Sequence, residues 1–377
     1  MKLGLKIFFL LVFLLALFVL AAASHRDVLA QSAAQKPVAM PIGKPIEIKA
    51  PLGLPPVPIP ADNPPTEETV ALGRRLYYDP LLSLDGTISC ASCHAPQFSF
   101  SDSRPVSLGV GGKHGTRHAP TVINSAYSTL QFWDGRAPSL EEQAKGPMAN
   151  PVEMAHSLDG VVQRLAAERT YQALFKAAWG TDEISIDLVA KSIASFERTL
   201  IAGDSPFDQF YYGHNSNALS SQAQRGLKVF MSPRKGNCAV CHSIGKESAL
   251  FTDNKFHNLG IGADTRGELH DLGRYNETKV EADKGCFKTP SLRNLANRGP
   301  YMHDGSFPTV KDALAHYIGG GNWNPYLDKE IHSLDVLTFD ERDELLQFLD
   351  ALNGKLPENI GPPADLAPPA KAITSGN

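Results

Sequence analysis

One five-residue pattern occurs twice in this chain, and it constrains the fold more than any other feature. Residues 90–94 read CASCH and residues 238–242 read CAVCH, so each copy has two cysteines three residues apart, followed by a histidine. Two thiols at this spacing can form thioether bonds with the vinyl groups of a haem, and the histidine then reaches the iron from one side. We therefore predict two covalently bound haem c groups. The attachment residues are Cys90, Cys93, Cys238 and Cys241, with His94 as the proximal ligand of haem iron 1 and His242 as that of haem iron 2.

Cysteine pairs at this spacing also occur in two other settings. Zinc sites use the C-x-x-C pattern, and an exported protein can join such cysteines as disulfides. Two copies of the full pattern, each ending in histidine, favour haem over both alternatives. Cys286 is the fifth cysteine, and we expect it to be a buried or loop thiol without a role.

The start of the chain favours export from the cytoplasm. Lys2 and Lys6 precede the apolar run of residues 7–23, and small residues follow. This order is typical of a secretory signal peptide, which we assign to residues 1–30. An uncleaved membrane anchor is the alternative, because the apolar run is close to the length of a membrane span. Both interpretations place the folded part outside the cytoplasm, and we predict a periplasmic protein.

The rest of the chain has the pattern of two similar, mostly helical halves joined by long loops. We expect a proline-rich, extended lead-in over residues 31–65, an N-terminal domain over 66–205, a C-terminal domain over 206–356 and a flexible tail over 357–377. Few segments alternate with period two, so strand content should be minor.

Five segments have the start signals and apolar periodicity of helices. They are residues 66–80, 185–200, 220–230, 309–318 and 338–354. Two of them share a short pattern, because residues 73–77 (GRRLY) and 226–230 (GLKVF) place a glycine at the same distance before an aromatic residue. Each copy of this pattern precedes one of the cysteine motifs, which supports an internal duplication.

Several segments, taken in order, resemble the bacterial di-haem cytochrome c peroxidase and MauG superfamily. The resemblance implies an all-α fold of two cytochrome-c-like haem domains. It also implies that the N-terminal haem activates hydrogen peroxide and shares oxidising equivalents with the C-terminal haem. The segments are SCASCH, GTRHAPTVINSA (115–126), FWDGRAPSLEEQAKGP (132–147), PVEM (151–154), CAVCH, FHNLGIG (256–262), DLGRYNETKVEADKGCFKTPSLRN (271–294) and PYMHDG (300–305).

The resemblance assigns three residues of the first domain to catalysis. Trp133 matches a tryptophan between the haems, whose indole can hold a transient electron hole. Glu153 matches an acidic residue of the peroxide pocket, and Gln143 matches a hydrogen-bonding neighbour. A carboxyl group there can move a proton between the two peroxide oxygens. Without the motif context, Trp133 would be read as a core residue and Glu153 as a solvated charge.

Two departures from the family pattern concern the first domain and calcium. Many family members have a histidine that closes the peroxide haem, and Val110 occupies that column here. His114 lies four residues later, so we expect an open N-terminal haem and a loop position for His114. The family's calcium-binding asparagine is His118, and calcium prefers oxygen ligands. The backbone carbonyls of Arg298 and Pro300 remain candidate calcium ligands.

A third departure concerns the second haem iron. Alignment on PYMHDG places Tyr317 where cytochrome c peroxidases have a methionine and MauG-type proteins have a tyrosine. We therefore predict Tyr317 as the axial ligand of haem iron 2, with the adjacent His316 as the alternative. A phenolate ligand stabilises ferric iron relative to ferrous iron and lowers the reduction potential.

These features predict a periplasmic di-haem peroxidase that takes electrons from a small cytochrome c or a copper protein. One alternative is a MauG-like oxidase of the methylamine-utilisation type, which modifies residues of a partner protein. Tyr317 favours this alternative, although the surface tryptophan that some MauG-type proteins have two residues before the second motif is Gly236 here. A plain di-haem electron carrier is the other alternative. The family pattern allows a homodimer, and a net charge of −4 gives no basic surface for nucleic acid.

Overall fold

The structure is a computed structural model and describes residues 39–366. The signal peptide assigned to residues 1–30 lies outside this range. Within it, ten α-helices and seven short 3-10 turns carry the fold, and the only sheet pairs β1 (Phe256–His257) with β2 (Phe287–Lys288) in antiparallel register. The prediction of a mostly helical fold with minor strand content is therefore confirmed. None of the helices in residues 39–366 is long and apolar enough to cross a membrane.

The α-helices are α1 (Glu67–Tyr78), α2 (Leu140–Ala149), α3 (Leu158–Ala167), α4 (Arg169–Trp179), α5 (Ile186–Glu197), α6 (Pro206–Tyr211), α7 (Ser221–Met231), α8 (Tyr275–Thr278), α9 (Val310–Ile318) and α10 (Phe339–Asp350). The 3-10 turns are Pro80–Leu82, Cys90–Ser92, Pro96–Phe98, Val110–Gly112, Ser125–Tyr127, Cys238–Val240 and Glu281–Asp283.

Each half contains one helix pair that crosses at a glycine. In the first half α1 packs against α5, and a Cβ atom on Gly73 would lie 1.8 Å from the carbonyl oxygen of Ser192. In the second half α7 packs against α10, and a Cβ atom on Gly226 would lie 2.0 Å from the carbonyl oxygen of Glu344. Any side chain at either position would push the helices apart, so the two glycines set the interhelical distances. The pattern repeated in the sequence therefore marks the same crossing in both halves.

Aromatic side chains fill both crossings. The rings of Tyr77 and Phe196 lie 5.3 Å apart, and those of Phe230 and Phe348 lie 5.0 Å apart, measured between centroids. All four side chains are fully buried or nearly so. Such pairs add about 0.5–1.5 kcal/mol beyond the area that they bury. Since each cysteine motif follows α1 or α7, these crossings fix the point from which each motif starts.

The five helices predicted from the sequence are all present, and each begins at a side-chain cap. The hydroxyl groups of Thr66, Ser185, Ser220, Thr309 and Thr338 accept hydrogen bonds from the first turns of α1, α5, α7, α9 and α10. The sequence analysis did not predict the other five helices, which are α2, α3, α4, α6 and α8. The division into two domains at residue 205 stays a prediction.

The proline-rich segment is extended over the described residues 39–65, but it is not peripheral. Leu54 and Val57 are 8% and 9% exposed, and they pack against Tyr127 and Ile201. The backbone carbonyl of Gly53 accepts a hydrogen bond of 2.9 Å from the guanidinium of Arg293. We call residues 48–57 the N-terminal strap, because they contact residues from both halves.

The start of the tail, expected to be flexible from residue 357 onward, is held against α1. Tyr78 donates a hydrogen bond of 2.6 Å to the carbonyl of Ile360. The side chain of Arg74 donates to the carbonyl of Gly361 at 2.6 Å, and Arg75 pairs with Asp365 at 2.6 Å. These contacts join the tail to α1 as far as residue 365, and the flexibility of residues 357–377 stays a prediction.

Replacing the crossing glycine tests this account of the packing. Gly226→Ala is expected to lower the free energy of unfolding by about 1–3 kcal/mol, because the added methyl group collides with the backbone of α10. Alanine's better helix propensity offsets only part of this loss. Denaturant unfolding followed by circular dichroism measures the change. Gly115→Ala is the matched control, since the nearest atoms to its Cβ would be 3.8 Å away. A Gly226→Ala protein as stable as its parent would contradict the crossing.

Candidate functional site

The first cysteine motif folds as a short turn that orients its imidazole. Cys90–Ser92 form a 3-10 turn, and the amide of His94 donates to the carbonyl of Cys90 at 2.9 Å. Nδ1 of His94 lies 2.9 Å from the carbonyl oxygen of Pro120. A carbonyl only accepts, so Nδ1 carries the proton and Nε2 keeps its lone pair for a metal. Burial lowers the pKa of His94, which keeps the ring neutral.

The second motif repeats this geometry. Cys238–Val240 form a 3-10 turn, and the amide of His242 donates to the carbonyl of Cys238 at 2.9 Å. Nδ1 of His242 donates to the carbonyl of Phe251 at 2.8 Å, which again leaves Nε2 free to bind. Burial lowers the pKa of His242 to about 4. Both motifs therefore present a neutral imidazole of the same tautomer.

The cysteines do not form the structures that the alternatives require. All five lie within the described residues and none is in a disulfide. In residues 39–366 the only group of three potential metal ligands is Cys241, Asp253 and His257. That group takes a single cysteine from the second motif, so it does not use the two cysteines of a C-x-x-C pair together.

A continuous cavity extends from the second motif into the first half of the chain. Cys238, Cys241 and His242 line it together with Tyr317, and its walls are mainly apolar. A haem c requires two thiols and one imidazole at the wall of an apolar cavity, and this cavity provides them. The residues present therefore fit the predicted cofactor. The cavity also reaches Trp133.

The two candidate ligands on α9 point to different partners. Nε2 of His316 lies 2.9 Å from the carbonyl oxygen of Leu259, so this nitrogen donates to the backbone. Tyr317 lines the cavity, and no described residue forms a hydrogen bond with its hydroxyl group. Burial raises the pKa of Tyr317, with a further contribution from Cys238 and Cys241. The side chain facing the second motif is thus the tyrosine.

Helices α2 and α9 are equivalent, and their comparison reveals a residue that the sequence reading missed. Ser139 caps α2 and Thr309 caps α9. Counting along each helix from its cap places Pro147 at the position of Tyr317. Proline has no side-chain donor or ligand atom, so the first half lacks a counterpart of the phenol. Aligning the two caps in the sequence would have revealed this difference.

Glu153 is fixed in a half-buried loop directly after α2. One of its carboxylate oxygens accepts a hydrogen bond of 2.8 Å from the amide of Asn150. Burial raises the pKa of Glu153, and the nearby charge of Arg136 offsets part of that rise. The charge of Glu153 in turn contributes to the raised pKa of Cys93, so the carboxylate lies near the first motif. Gln143 is half-buried on α2, one turn before Pro147 and on the same face.

The loop of residues 108–114 places no histidine side chain beside Glu153. The amide of Val110 donates to the carbonyl of Glu153 at 2.8 Å, so Val110, which occupies the position of the family's histidine, lies next to the proposed peroxide pocket. His114 is exposed, at the base of a turn where Leu108 pairs with it. The structure thus places His114 in an exposed loop.

Trp133 connects the two halves. Its indole nitrogen donates to the carbonyl of His118 at 2.8 Å, in the segment that also carries Pro120. Its own carbonyl accepts from the amide of Lys288 at 2.8 Å, and its ring lies edge-on to His303 at 6.5 Å. Trp133 therefore lies between the segment that orients His94 and the β2 strand of the second half.

His118, which replaces the family's calcium-binding asparagine, forms hydrogen bonds with the protein through both ring nitrogens. Nε2 of His118 lies 3.0 Å from the hydroxyl oxygen of Ser101, and Nδ1 lies 3.1 Å from the carbonyl of Arg104. The ring is buried and engaged on both sides. Binding of calcium by the carbonyls of Arg298 and Pro300 stays a prediction.

Known proteins resemble this chain over most of its length. The family described as di-haem cytochrome c peroxidase matches residues 67–216. The methylamine utilization protein MauG of Methylorubrum extorquens is 42% identical over 302 residues, which cover 79% of this chain and 82% of that protein. The cytochrome c peroxidase Ccp of Escherichia coli is 40% identical over 305 residues, which cover 79% of this chain and 60% of that protein.

Solved structures give the same result at the level of the fold. A MauG-like protein associated with microbial copper homeostasis matches with a TM-score of 0.74 and 32% identity, covering 86% of this chain and 98% of that one. The diheme peroxidase BthA from Burkholderia thailandensis matches with a TM-score of 0.68 and 23% identity, covering 87% of this chain and 100% of that one.

Proposed function

Because the chain belongs to the di-haem cytochrome c peroxidase family, we propose that it is an exported enzyme that uses hydrogen peroxide to oxidise a redox protein. Membership in this family gives the chain two covalently bound haem c groups. Their irons supply the redox chemistry that breaks the O–O bond of peroxide. The residues proposed to hold them are Cys90, Cys93 and His94 in the first half and Cys238, Cys241 and His242 in the second.

The difference between the two halves supports peroxide activation at the first site. Helix α2 has Pro147 where α9 has Tyr317, and the loop after α2 brings Glu153 towards the first motif. A site without a side-chain ligand and with a carboxylate nearby suits a small oxidant. A plain electron carrier needs neither a position without a side-chain ligand nor a nearby carboxylate.

Glu153 is proposed to move the proton that peroxide cleavage requires. Its carboxylate takes a proton from the near oxygen of hydrogen peroxide and returns it to the far oxygen. The far oxygen then leaves as water when two electrons, which the bound haems would supply, enter the O–O bond, and two further protons convert the near oxygen into a second water. The raised pKa of Glu153 favours the return of the proton to the far oxygen, because a general acid works best when its pKa is close to the ambient pH. Gln143, on the same side of α2 as Pro147, is proposed to orient the peroxide by hydrogen bonding.

Trp133 is proposed as the relay between the two haems. It is bonded to the first half through the carbonyl of His118 and to the second half through the amide of Lys288. Its π system can hold an electron hole transiently. The indole N–H donates a hydrogen bond to a backbone carbonyl, which is too weak a base to remove the proton, so the hole is not trapped by proton loss.

Tyr317 is proposed as the axial ligand of haem iron 2. Its position in the cavity and the engagement of His316 by the backbone support this assignment. A phenolate lowers the reduction potential of the iron that it binds. This property favours a second function, the oxidation of residues on a partner protein, over simple collection of electrons from a high-potential donor. The relatives named MauG make this the second candidate.

The compartment, the electron donor and the oligomeric state of the enzyme are also proposals. Export to the periplasm rests on residues 1–30. The electron donor is a small cytochrome c or a copper protein, and a homodimer is the proposed assembly. Calcium binding by the carbonyls of Arg298 and Pro300 is a further proposal, in which His118 takes no part because both its ring nitrogens are engaged with the protein.

Glu153→Gln tests the proton transfer. Both haems should remain attached, and the reaction with hydrogen peroxide should slow by about 10²–10⁴-fold. Rapid mixing of the ferric protein with peroxide measures the rate constant. The parent's rate should rise with pH through the pKa of Glu153, because the ionised form accepts the first proton, and the variant should lack this limb. Glu142→Gln, which changes an exposed residue of α2, is the control. An unchanged rate in Glu153→Gln would remove this residue from the mechanism.

Tyr317→Phe tests the axial ligand. The ferric protein should show a phenolate-to-iron absorption band, and the variant should lose it, because phenylalanine has no ligand atom. His316→Gln is the control on the neighbouring position and should keep the band. A parent protein without this band, whose spectrum is unchanged in Tyr317→Phe and altered in His316→Gln, would reverse the assignment.

Steady-state turnover of peroxide with reduced cytochrome c separates the two candidate functions. Fast turnover is expected for a peroxidase, with oxidation of cytochrome c followed by its absorbance. Negligible turnover, together with rapid formation of a long-lived oxidised species, would instead support oxidation of a partner protein. No reaction with peroxide at all would leave only an electron carrier.

A further inference from the structure

Two cations in the cavity described above have no carboxylate partner. Arg298 is 8% exposed, and its guanidinium donates only to the carbonyls of Ser291 at 2.7 Å and Arg293 at 3.3 Å. Lys288 is half-buried, and its ammonium donates only to the carbonyl of Leu130 at 2.6 Å. Within residues 39–366, neither cation pairs with an aspartate or a glutamate.

Two other arginines with little exposure, one buried and one half-buried, are neutralised by carboxylates. Arg293 is 1% exposed and forms two hydrogen bonds, of 2.7 and 2.8 Å, with the carboxylate of Asp208. Arg117 lies between Asp134 and Asp271 and bonds to both. A buried cation that contacts only neutral carbonyls replaces its lost hydration in part and keeps an uncompensated charge.

The lost hydration favours the neutral form of both groups. Burial lowers the pKa of Lys288 to about 8 and that of Arg298 to about 10. No carboxylate contributes in the opposite direction at either residue. An anion brought next to these two groups would therefore be bound favourably.

Both cations face the space next to the second motif. Lys288 and Arg298 line the same cavity as Cys238, Cys241 and His242. Lys288 is tied to the first half, because its amide donates to the carbonyl of Trp133.

The group that fills this cavity brings its own anions. A haem c is attached through the vinyl groups on one edge, and its opposite edge carries two propionate carboxylates. A cavity that takes up this group must also accommodate two negative charges away from the cysteines. The two unpaired cations match them in number and in sign.

We infer that Lys288 and Arg298 bind the propionate carboxylates of the haem attached to Cys238 and Cys241, and that they raise its reduction potential. Reduction adds negative charge to the iron, and nearby positive charge favours that change. The effect opposes that of a phenolate ligand, so the two cations limit how far Tyr317 can lower the potential. This inference rests on haem attachment and not on peroxide chemistry.

Removing the charge of Lys288 tests the inference in the di-haem protein without peroxide. Lys288→Met should lower the midpoint potential of the second haem by about 59 mV, which corresponds to a tenfold change in a one-electron equilibrium. A spectroelectrochemical titration measures both haem potentials. Resonance Raman spectra should show altered propionate bending modes in the same variant.

Three further variants separate propionate binding from general effects of charge or packing. Lys288→Arg keeps the charge and should restore the parent potential. Lys246→Met removes an exposed charge four residues after His242 and should leave the potential unchanged. Arg298→Met should lower the potential as Lys288→Met does. If the Arg298→Met protein cannot be produced with both haems attached, the result with Lys288→Met alone decides the inference. An unchanged potential and unchanged propionate modes in Lys288→Met would overturn the inference, as would an equal shift in Lys246→Met.

Discussion

A hydrogen bond from each proximal imidazole to a backbone carbonyl is the contact on which the arrangement of this protein depends. The carbonyls of Pro120 and Phe251 fix the ring plane and the tautomer of His94 and His242. Each bond also raises the basicity of the nitrogen that faces the metal. Because the loop of Pro120 includes His118, whose carbonyl receives the indole of Trp133, the orientation of the first ligand and the position of the tryptophan are set together.

The same helical scaffold serves two different chemical environments. Glycine crossings, cysteine turns and capped helices recur in both halves with nearly equal geometry. The differences lie at a few positions that the scaffold does not constrain, above all Pro147 against Tyr317. A side chain at this position can change from ligand to spacer without disturbing the crossing that supports it. Duplication of the fold therefore leaves room for two sites with different coordination.

Local signals in the sequence predicted a large part of this structure. The cysteine motifs, the five capped helices and the repeated glycine depend on contacts within a few residues, and the structure contains all of these elements. Helix α2 was not predicted, because Pro147 within it reads as a helix stop. The choice between His316 and Tyr317 could not be made from spacing alone, since it depends on the distant carbonyl of Leu259.

Contacts between distant residues account for the rest of what the sequence did not show. A proline-rich composition predicted an extended segment but not the burial of Leu54 and Val57. The unpaired state of Lys288 and Arg298 is equally invisible in a sequence, where acidic residues are common. Whether a charge has a partner depends on which side chains the fold brings within reach, and local patterns do not contain that information.

The N-terminal strap has a consequence for the order in which the molecule can assemble. Gly53 makes its hydrogen bond with Arg293, 240 residues further along the chain. The amide of Ala249 also donates to Gly53, at 2.9 Å. The carbonyl of Gly53 thus has neither of these two partners until the second half has been made. Such contacts give a chain a high contact order and slow its folding. The strap can therefore complete its contacts only after the two halves have met.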